Sequence, residues 1–376
     1  MSAALHEQRS ARLQAAMHSA QLELLVIASN AWRNDYLRYA LDITTMEGQA
    51  VALIARQGPA RVFVDSPAEA ARLAAEHPHP HPQLQVHCSA QPQADALAAV
   101  AASGARSVGL APAQAPTGLA RATVAGQGLL GQSVAATTAM MDQLMVNKTP
   151  AEADAVERAA AMADAGYAVF KGAARTGRPE FELVADTEAW FRAQGCPENF
   201  MILGSGGPEL RGMHPPGERR LIPGDLVTTE LTPCVDGYYA QICRTLVVGP
   251  PSTAQLSAYA VYVEALEAGI AAVRPGATHG DVARAQNDVF RRHGLGEYVS
   301  SEYTRVRGHG LGLFVDGVHV LEDVGLVLEP DMTLIVHPNT YHPVVGYVVL
   351  GDTVRVTADG CRVLTHCSRE LMSVPA

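Results

Sequence analysis

The residues most able to do chemistry lie in short motifs of the second half of the sequence. Histidine changes its charge near neutral pH, so motifs built around it are candidates for proton transfer. In chain order the motifs are Ser205-Gly-Gly followed by His214-Pro-Pro, Pro223-Gly-Asp, Asp236-Gly-Tyr-Tyr with Arg244-Thr, Gly308-His309-Gly-Leu-Gly-Leu, Leu328-Glu-Pro-Asp and Gly351-Asp-Thr-Val.

Other residues invite a chemical interpretation that their surroundings do not favour. Cys234 and Cys243 are possible nucleophiles, but no neighbouring helix start or basic residue would activate them, which favours packing. The alternating His-Pro tract over 77–82 is held extended by its prolines, so its three imidazoles cannot converge on one metal ion. The glycine-rich run over 204–207 lacks the following Lys-Ser or Lys-Thr of a phosphate-binding loop.

Two domains are needed to position these motifs. Over residues 1–146, short apolar runs alternate with helical patches, as in the strand run 22–28 and the helix predicted at 67–76, which favours a smaller α/β domain. Thr149, Pro150 and Glu152 form a capping-box signature that predicts the start of a long helix. We therefore expect a second domain over 147–376.

The second domain contains an internal repeat. A helix, a Gly-containing break, a second helix carrying Phe-Arg and a terminal glycine occur twice, and Gly177 and Gly195 recur 99 residues later as Gly276 and Gly294. Each helix pair is followed by an apolar stretch closing on Gly-x-Gly. We expect an α+β fold with a pseudo-two-fold axis, in which the strands of both halves form one curved sheet with the site between the halves.

Composition limits the classes of partner. The 376 residues carry 28 Lys and Arg against 38 Asp and Glu, a formal net charge of -10, so we expect no nucleic-acid or acidic-membrane partner. The longest charge-free run contains glycines and polar residues and would be a poor membrane span. The six cysteines are scattered and no signal-peptide pattern is present, which predicts a cytoplasmic protein. Given the acidic net charge, we expect the partner to be a small-molecule substrate.

The motifs, in this order, resemble those of the creatinase, aminopeptidase P and prolidase family over residues ~148–370. The resemblance implies the pita-bread α+β fold for this part of the chain, preceded in the sequence by the smaller α/β domain. Most members hold two metal ions with two aspartates, a histidine and two glutamates. In this chain His309 is retained, and the other four positions are occupied by Glu230, Gln241, His337 and Gly351.

Charge argues against a pair of ions at these positions. One carboxylate facing two divalent ions would leave a net charge of about +3 in the pocket. A single ion on His309, His337 and the Gln241 oxygen is chemically allowed. We expect no resident metal and no cofactor.

The resemblance to creatinase implies a function without metal. His214 stands where that enzyme has its general base, so our first hypothesis is a metal-independent hydrolase of an amide, amidine or cyclic amidine C–N bond in a small polar metabolite. In this hypothesis Glu230 holds or protonates the leaving nitrogen, and His309 with His337 stabilises the oxyanion or binds a substrate carboxylate. The alternatives are a single-metal Xaa-Pro-type peptidase and a non-catalytic binding protein of the same fold.

Further residues are predicted to bind the substrate. They are Gln241 and Cys243 near the strand motif, and Asp316 and His319 in the loop after His309, where Asp316 would orient a histidine or bind a cation, or else begin a turn.

The family also implies a dimer in which the N-terminal domain of one subunit closes the site of the other. Trp32 and Arg33 follow the first predicted strand, where such a lid would lie, although an ordinary polar loop with one buried Trp fits the same residues. We therefore expect a homodimer in which Trp32 and Arg33 contact the substrate.

Overall fold

The computed structural model describes most of the chain in two compact units. The described residues are 3–32, 34–46, 48–76, 83–112 and 131–376. The units cover residues 1–145 and 146–376, so the change from one to the other comes one residue before the predicted start of the second domain.

The first unit is an α/β domain that consists of one five-stranded sheet and its helices. Its five strands have the order β4-β3-β2-β1-β5, in which β1 pairs antiparallel with β2 and parallel with β5. The helix predicted at 67–76 is present, and Ser66 accepts a hydrogen bond from the Glu69 amide at its start. The elements are α1 (Ala3–Ser19), β1 (Leu24–Asn30), α2 (Asp35–Leu41), β2 (Gln49–Ala55), β3 (Ala60–Val64), α3 (Pro67–Glu76), β4 (Leu84–Cys88), α4 (Pro92–Ala102), β5 (Val108–Ala111) and α5 (Val134–Val146). The His-Pro tract over 77–82 lies outside the described residues.

Two helix pairs form the outer layer of the second unit. They are α6 (Pro150–Ala173) with α7 (Glu180–Ala193), and α8 (Thr253–Ala272) with α9 (His279–Arg292). Helix α6 begins with the predicted capping box, in which Thr149 and Glu152 satisfy each other's backbone amides.

The internal repeat is present in the backbone as well as in the sequence. Helices α7 and α9 have the same length and begin 99 residues apart. Gly177 and Gly276 adopt φ values of 84° and 83°, and Gly195 and Gly294 adopt 79° and 74°. These left-handed conformations favour glycine and explain why it recurs at both breaks.

The strands of both halves join in one sheet behind the helices. Its main order is β10-β11-β14-β9-β7-β6, while β8, β15 and β16 pair with β7, β14 and β9. A separate hairpin joins β12 to β13. The strands are β6 (Asn199–Gly206), β7 (Leu226–Val235), β8 (Tyr238–Tyr239), β9 (Ile242–Val248), β10 (Gly308–Gly310), β11 (Thr333–Val336), β12 (Thr340–His342), β13 (Gly346–Val348), β14 (Gly351–Val356), β15 (Cys361–Val363) and β16 (Met372–Val374), with a short 3₁₀ helix at Gly296–Val299.

This arrangement confirms the predicted α+β pita-bread fold. Strands β7 and β9 belong to the first half, β11 and β14 to the second, and β9 pairs with β14 where the halves meet. Each half buries an apolar core between its helices and the sheet. Within the described residues, no helix is long and apolar enough to cross a membrane.

Candidate functional site

The site is built where β7, β9 and β14 lie side by side. Glu230 on β7 is directly opposite Cys243 on β9, and Cys243 is in turn opposite Gly351 on β14. Side chains on one face of adjacent strands approach within contact distance. The sheet therefore brings residues of both halves together, as the sequence predicts.

Gly351 makes room for His337, which directly follows β11. A Cβ atom at position 351 would lie 2.7 Å from the His337 Cβ and 3.2 Å from the Cys243 Sγ. Neither distance accommodates a larger side chain without movement of its neighbours. His337 and Gly351 are thus complementary, and the chain could not carry a carboxylate at position 351 with this placement of His337.

A hydrogen-bonded network of uncharged groups surrounds the one carboxylate in this part of the site. The Asn339 amide donates to Glu230 Oε1 over 2.8 Å, and the Cys243 thiol lies 3.6 Å from the same oxygen. The Gln241 amide nitrogen is 3.4 Å from Cys243 Sγ. Burial raises the pKa of Glu230 to about 7, so this carboxyl group can exchange a proton near neutral pH.

Cys243 does not have the surroundings of a nucleophile. Its thiol is buried, and burial raises its pKa well above the ordinary value, an effect to which the neighbouring Glu230 carboxylate adds. A thiol must ionise before it can attack. Cys243 remains a protonated packing and hydrogen-bonding residue.

His309 and His337 form a buried pair of neutral imidazoles. Their ring centroids are 5.6 Å apart, with the rings at 66° to each other. Burial lowers the pKa of both side chains, and that of His337 falls well below its ordinary value. His309 Nδ1 contacts the Gly310 carbonyl at 3.2 Å, whereas His337 Nδ1 is buried without a hydrogen-bond partner among the described residues.

Asp316 lies between two histidines. Its carboxylate is 3.1 Å from His319 Nε2 and 3.6 Å from His309 Nδ1. His319 is also the bridge partner of His309 across the loop. Asp316 therefore contacts both of the histidines that it was expected to orient.

His214 lies on a different loop and contacts a different carboxylate. Its Nδ1 donates to the Pro215 carbonyl over 2.8 Å, which leaves Nε2 as the proton acceptor of the neutral ring. Glu180 lies 3.9 Å from Nδ1 and is completely buried. The Glu180 carboxylate also accepts hydrogen bonds from the Ser205 hydroxyl, at 2.6 Å, and from the Gly217 amide, at 2.9 Å.

The predicted residues divide into groups. Glu230, Gln241 and Cys243 form one network, His309 and His337 pair beside Gly351, and Asp316 joins His319 to His309. Trp32 belongs to the first unit, where its side chain is 93% exposed, so the alternative of a buried Trp in that loop is wrong. Arg33 lies outside the described residues.

Sequence reasoning missed two polar residues that organise the site, Asn339 and Glu180. Asn339 stands two positions after His337, and a buried amide so close to a candidate site residue is the signal that could have identified it. Glu180 occupies an ordinary helix start, and only the fold reveals that it reaches the His214 loop.

The donor groups do not fit a pair of metal ions. Among the described residues there is no cluster of three or more His, Cys, Asp or Glu side chains arranged to hold a metal. The set that remains for one ion consists of the His309 and His337 nitrogens and the Gln241 oxygen. The unpartnered buried nitrogen of His337 is the observation that fits an ion there, since buried polar atoms are rarely left without a partner.

The duplicated α+β sheet with these polar residues between its halves defines the class of pita-bread hydrolases. The model of metallopeptidase family M24 matches residues 154–358. The chain belongs to this family.

Its relatives are dipeptidases by name. A probable dipeptidase PepE of Mycobacterium tuberculosis is 31% identical over 249 residues, which are 65% of this chain and 65% of the relative. An Xaa-Pro dipeptidase of Pyrococcus furiosus is 28% identical over 236 residues, which are 62% of this chain and 67% of the relative. The chain thus spans just under two thirds of the length of the first curated relatives that it matches.

Solved structures agree in fold over nearly the whole chain. The dipeptidase PepE of Mycobacterium ulcerans superimposes with a TM-score of 0.81 and 28% identity, covering 100% of both chains. The X-Pro aminopeptidase of Thermotoga maritima gives a TM-score of 0.86 at 19% identity, covering 97% of this chain and 99% of the other, which shows the shared fold alone.

These relatives correct the function expected from the sequence. A metal-independent hydrolase of a small polar metabolite is wrong, because the matching family is one of metallopeptidases and the similar proteins are named as dipeptidases and Xaa-Pro dipeptidases. The resemblance to creatinase at His214 concerns one residue, whereas the family match covers residues 154–358.

Proposed function

We propose that this protein is a peptidase that cleaves dipeptides of the Xaa-Pro type and uses one divalent ion. The observation that carries the proposal is the neutral His309–His337 pair beside Glu230, in a chain 31% identical to a probable dipeptidase. Neutral imidazoles are good ligands for zinc and similar ions. His309, His337 and the Gln241 oxygen would hold the ion, which supplies Lewis-acid polarisation of the scissile carbonyl.

The other side chains have proton-transfer and positioning roles in this proposal. The pKa of Glu230, about 7, allows its carboxyl group to deliver a proton to the leaving nitrogen of the peptide bond. Asn339 fixes the orientation of that carboxyl group by its hydrogen bond. His214 Nε2 takes up the proton of the water that attacks the scissile carbonyl carbon, while the C–N bond breaks and the nitrogen receives its proton from Glu230. Glu180 holds the His214 loop through the Gly217 amide. Asp316 orients His309, and His319 contacts the substrate.

Hydrolysis of a dipeptide panel tests this proposal. Leu-Pro, Ala-Pro and Met-Pro should be cleaved faster than Leu-Ala, and a chelator should abolish turnover. His337→Ala should lower turnover by ~10²-fold or more, because it removes one of two nitrogen ligands. His293→Ala is the matched control, since His293 is an exposed histidine that pairs with Glu264. Full activity of His337→Ala would contradict the proposal.

A second candidate is a binding protein for short peptides. The observation that favours it is that the described residues contain no three-membered metal-binding cluster of His, Cys, Asp or Glu. The same dipeptides would then raise the melting temperature without being cleaved. Thermal shift and hydrolysis measured on one sample separate the two functions.

We also propose that the protein works as a cytoplasmic homodimer, with residues 1–146 as a lid domain and 147–376 as the catalytic domain. Trp32 and Met46 are large apolar side chains exposed on the surface, which supports an interface. All six cysteines are free, which supports a reducing compartment. Mixing inactive His214→Ala and Trp32→Ala variants should restore part of the activity through mixed dimers. Failure to do so after proven subunit exchange would contradict a shared site.

A further inference from the structure

Arg211, which precedes His214 by three residues in the chain, packs against the aromatic ring of Tyr341. Its guanidinium carbon is 4.0 Å from the centroid of the Tyr341 ring, a cation–π distance, and the side chain is exposed. No hydrogen bond or ion pair of the Arg211 side chain is found among the described residues. A stacked guanidinium still presents its N–H edge to an incoming anion.

The loop that carries Arg211 is tied to the same aromatic residues. The Tyr341 hydroxyl donates to the Pro208 carbonyl over 3.0 Å, and the Tyr347 amide donates to the Leu210 carbonyl over 2.9 Å. The nearby Glu209 carboxylate accepts from the Gly207 amide at 2.9 Å, so its charge is engaged within the loop. Arg211 is therefore held in place before any ligand arrives.

The ring beneath Arg211 belongs to a wall that continues to the site. Tyr298 and Tyr303 pack against Tyr341 at centroid distances of 5.7 Å each. Tyr341 shares an apolar cluster with Cys243, which contacts Glu230, and with Ile335, which is the strand partner of His309. Packed side chains thus connect Arg211 with the residues of the site.

We infer that Arg211, supported by the buried Tyr341 ring, binds a carboxylate of the substrate while the half-buried Tyr298 and Tyr303 contact its apolar part. Arginine recognises a carboxylate by two parallel N–H···O bonds, and the stacking on Tyr341 fixes the plane of that fork. Arg211 is then the residue that selects short peptides with a carboxylate at one end. This inference rests on the proposed peptidase function and adds a specificity-determining residue to it.

Kinetics on paired substrates test the role of Arg211. With Arg211→Gln, KM for Leu-Pro should rise ~10-fold or more with kcat nearly unchanged, since a charge-assisted pair is lost from binding. KM for Leu-Pro amide, which lacks the carboxylate, should be the same in both proteins. Glu-Pro amide and Gln-Pro amide form a second pair that detects recognition of a side-chain carboxylate instead of the C-terminal one.

Two control variants complete the test. Arg175→Gln removes the same charge from an exposed arginine elsewhere and should change none of these values. Arg211→Lys keeps the charge without the fork and should give an intermediate KM. Equal changes of KM for the acid and amide of each pair, or no change for any of them, would overturn the inference.

Binding keeps this test separate from the proposed function. Calorimetric titration with Leu-Pro whose peptide bond is reduced to an amine reports affinity even if no peptide is cleaved. A loss of affinity in Arg211→Gln for the acid alone supports the inference whether or not turnover is found. Equal affinity of both proteins for the acid overturns it.

Discussion

The two halves of the second unit hold their functional loops in the same way but with different chemistry. Helices α7 and α9 begin at equivalent positions, Glu180 and His279, and both residues are buried. Glu180 binds the loop that carries His214, whereas His279 Nδ1 contacts the His319 carbonyl at 3.1 Å. The residue before each helix also forms an equivalent bridge, Pro179 with Arg220 and Thr278 with Val327.

This difference shows how a duplicated fold acquires an asymmetric site. Duplication provides two equal anchors for two loops, and the identity of the anchoring residue decides what each loop can do. The buried Glu180 carboxylate holds the His214 loop by accepting hydrogen bonds from the Ser205 hydroxyl and the Gly217 amide. A neutral imidazole bound to a carbonyl only fixes the position of the loop.

The largest effect is expected from removing the charged anchor. Glu180→Ala deletes the acceptor of two hydrogen bonds, from the buried Ser205 hydroxyl and the half-buried Gly217 amide, which should lower the free energy of unfolding by about 2–4 kcal/mol. Turnover should fall as well, because the His214 loop loses its support. Urea denaturation and dipeptide kinetics measure the two effects.

Glu182→Ala is the matched control for that variant. Glu182 lies two residues further along α7, has a side chain that is 44% exposed and pairs with Arg178, so its loss should cost less than about 1 kcal/mol. If both variants were equally stable, Glu180 would not be an anchor.

The second effect concerns the carboxyl group between the halves. Burial raises the pKa of Glu230 from 4.5 to about 7 in the folded protein, so the folded state binds more protons between these values and stability falls as pH rises through this window. Glu230→Gln cannot ionise and should be more stable than the natural protein by about 2 kcal/mol at pH 8, with a smaller difference at pH 4.5. Melting temperatures across this pH range measure it. If the stability difference between Glu230→Gln and the natural protein did not change with pH, the pKa of Glu230 would be the same in the folded and unfolded states, which would contradict this account.

The smallest effect is expected from the neutral anchor of the second half. Burial lowers the pKa of His279, so the unfolded chain binds the proton more readily and stability falls as pH drops below about 6.5. His279→Gln should reduce that loss at low pH and change stability at pH 8 by only about 1 kcal/mol. Melting curves at pH 5 and pH 8 measure it, and an unchanged pH dependence would contradict the assignment.

Much of this fold follows from local sequence signals. Thr149 and Glu152 predict the start of α6, and the glycines spaced by 99 residues predict the duplication, because each depends on backbone geometry within a few residues. The contacts of Glu180 with the His214 loop and of Arg211 with Tyr341 join residues that are distant in sequence. No local or periodic sequence pattern predicts such contacts. The activity does not follow from His214, because one residue position does not determine the chemistry of a site.

The metal content of the purified protein tests the central claim most directly. Elemental analysis should find close to one divalent ion per chain, and chelation should remove it together with Leu-Pro hydrolysis, both of which return on adding the metal back. His337→Ala should lack the ion, while His293→Ala should retain it. Hydrolysis that continues at full rate in protein free of metal, or two ions per chain, would contradict a single-ion peptidase.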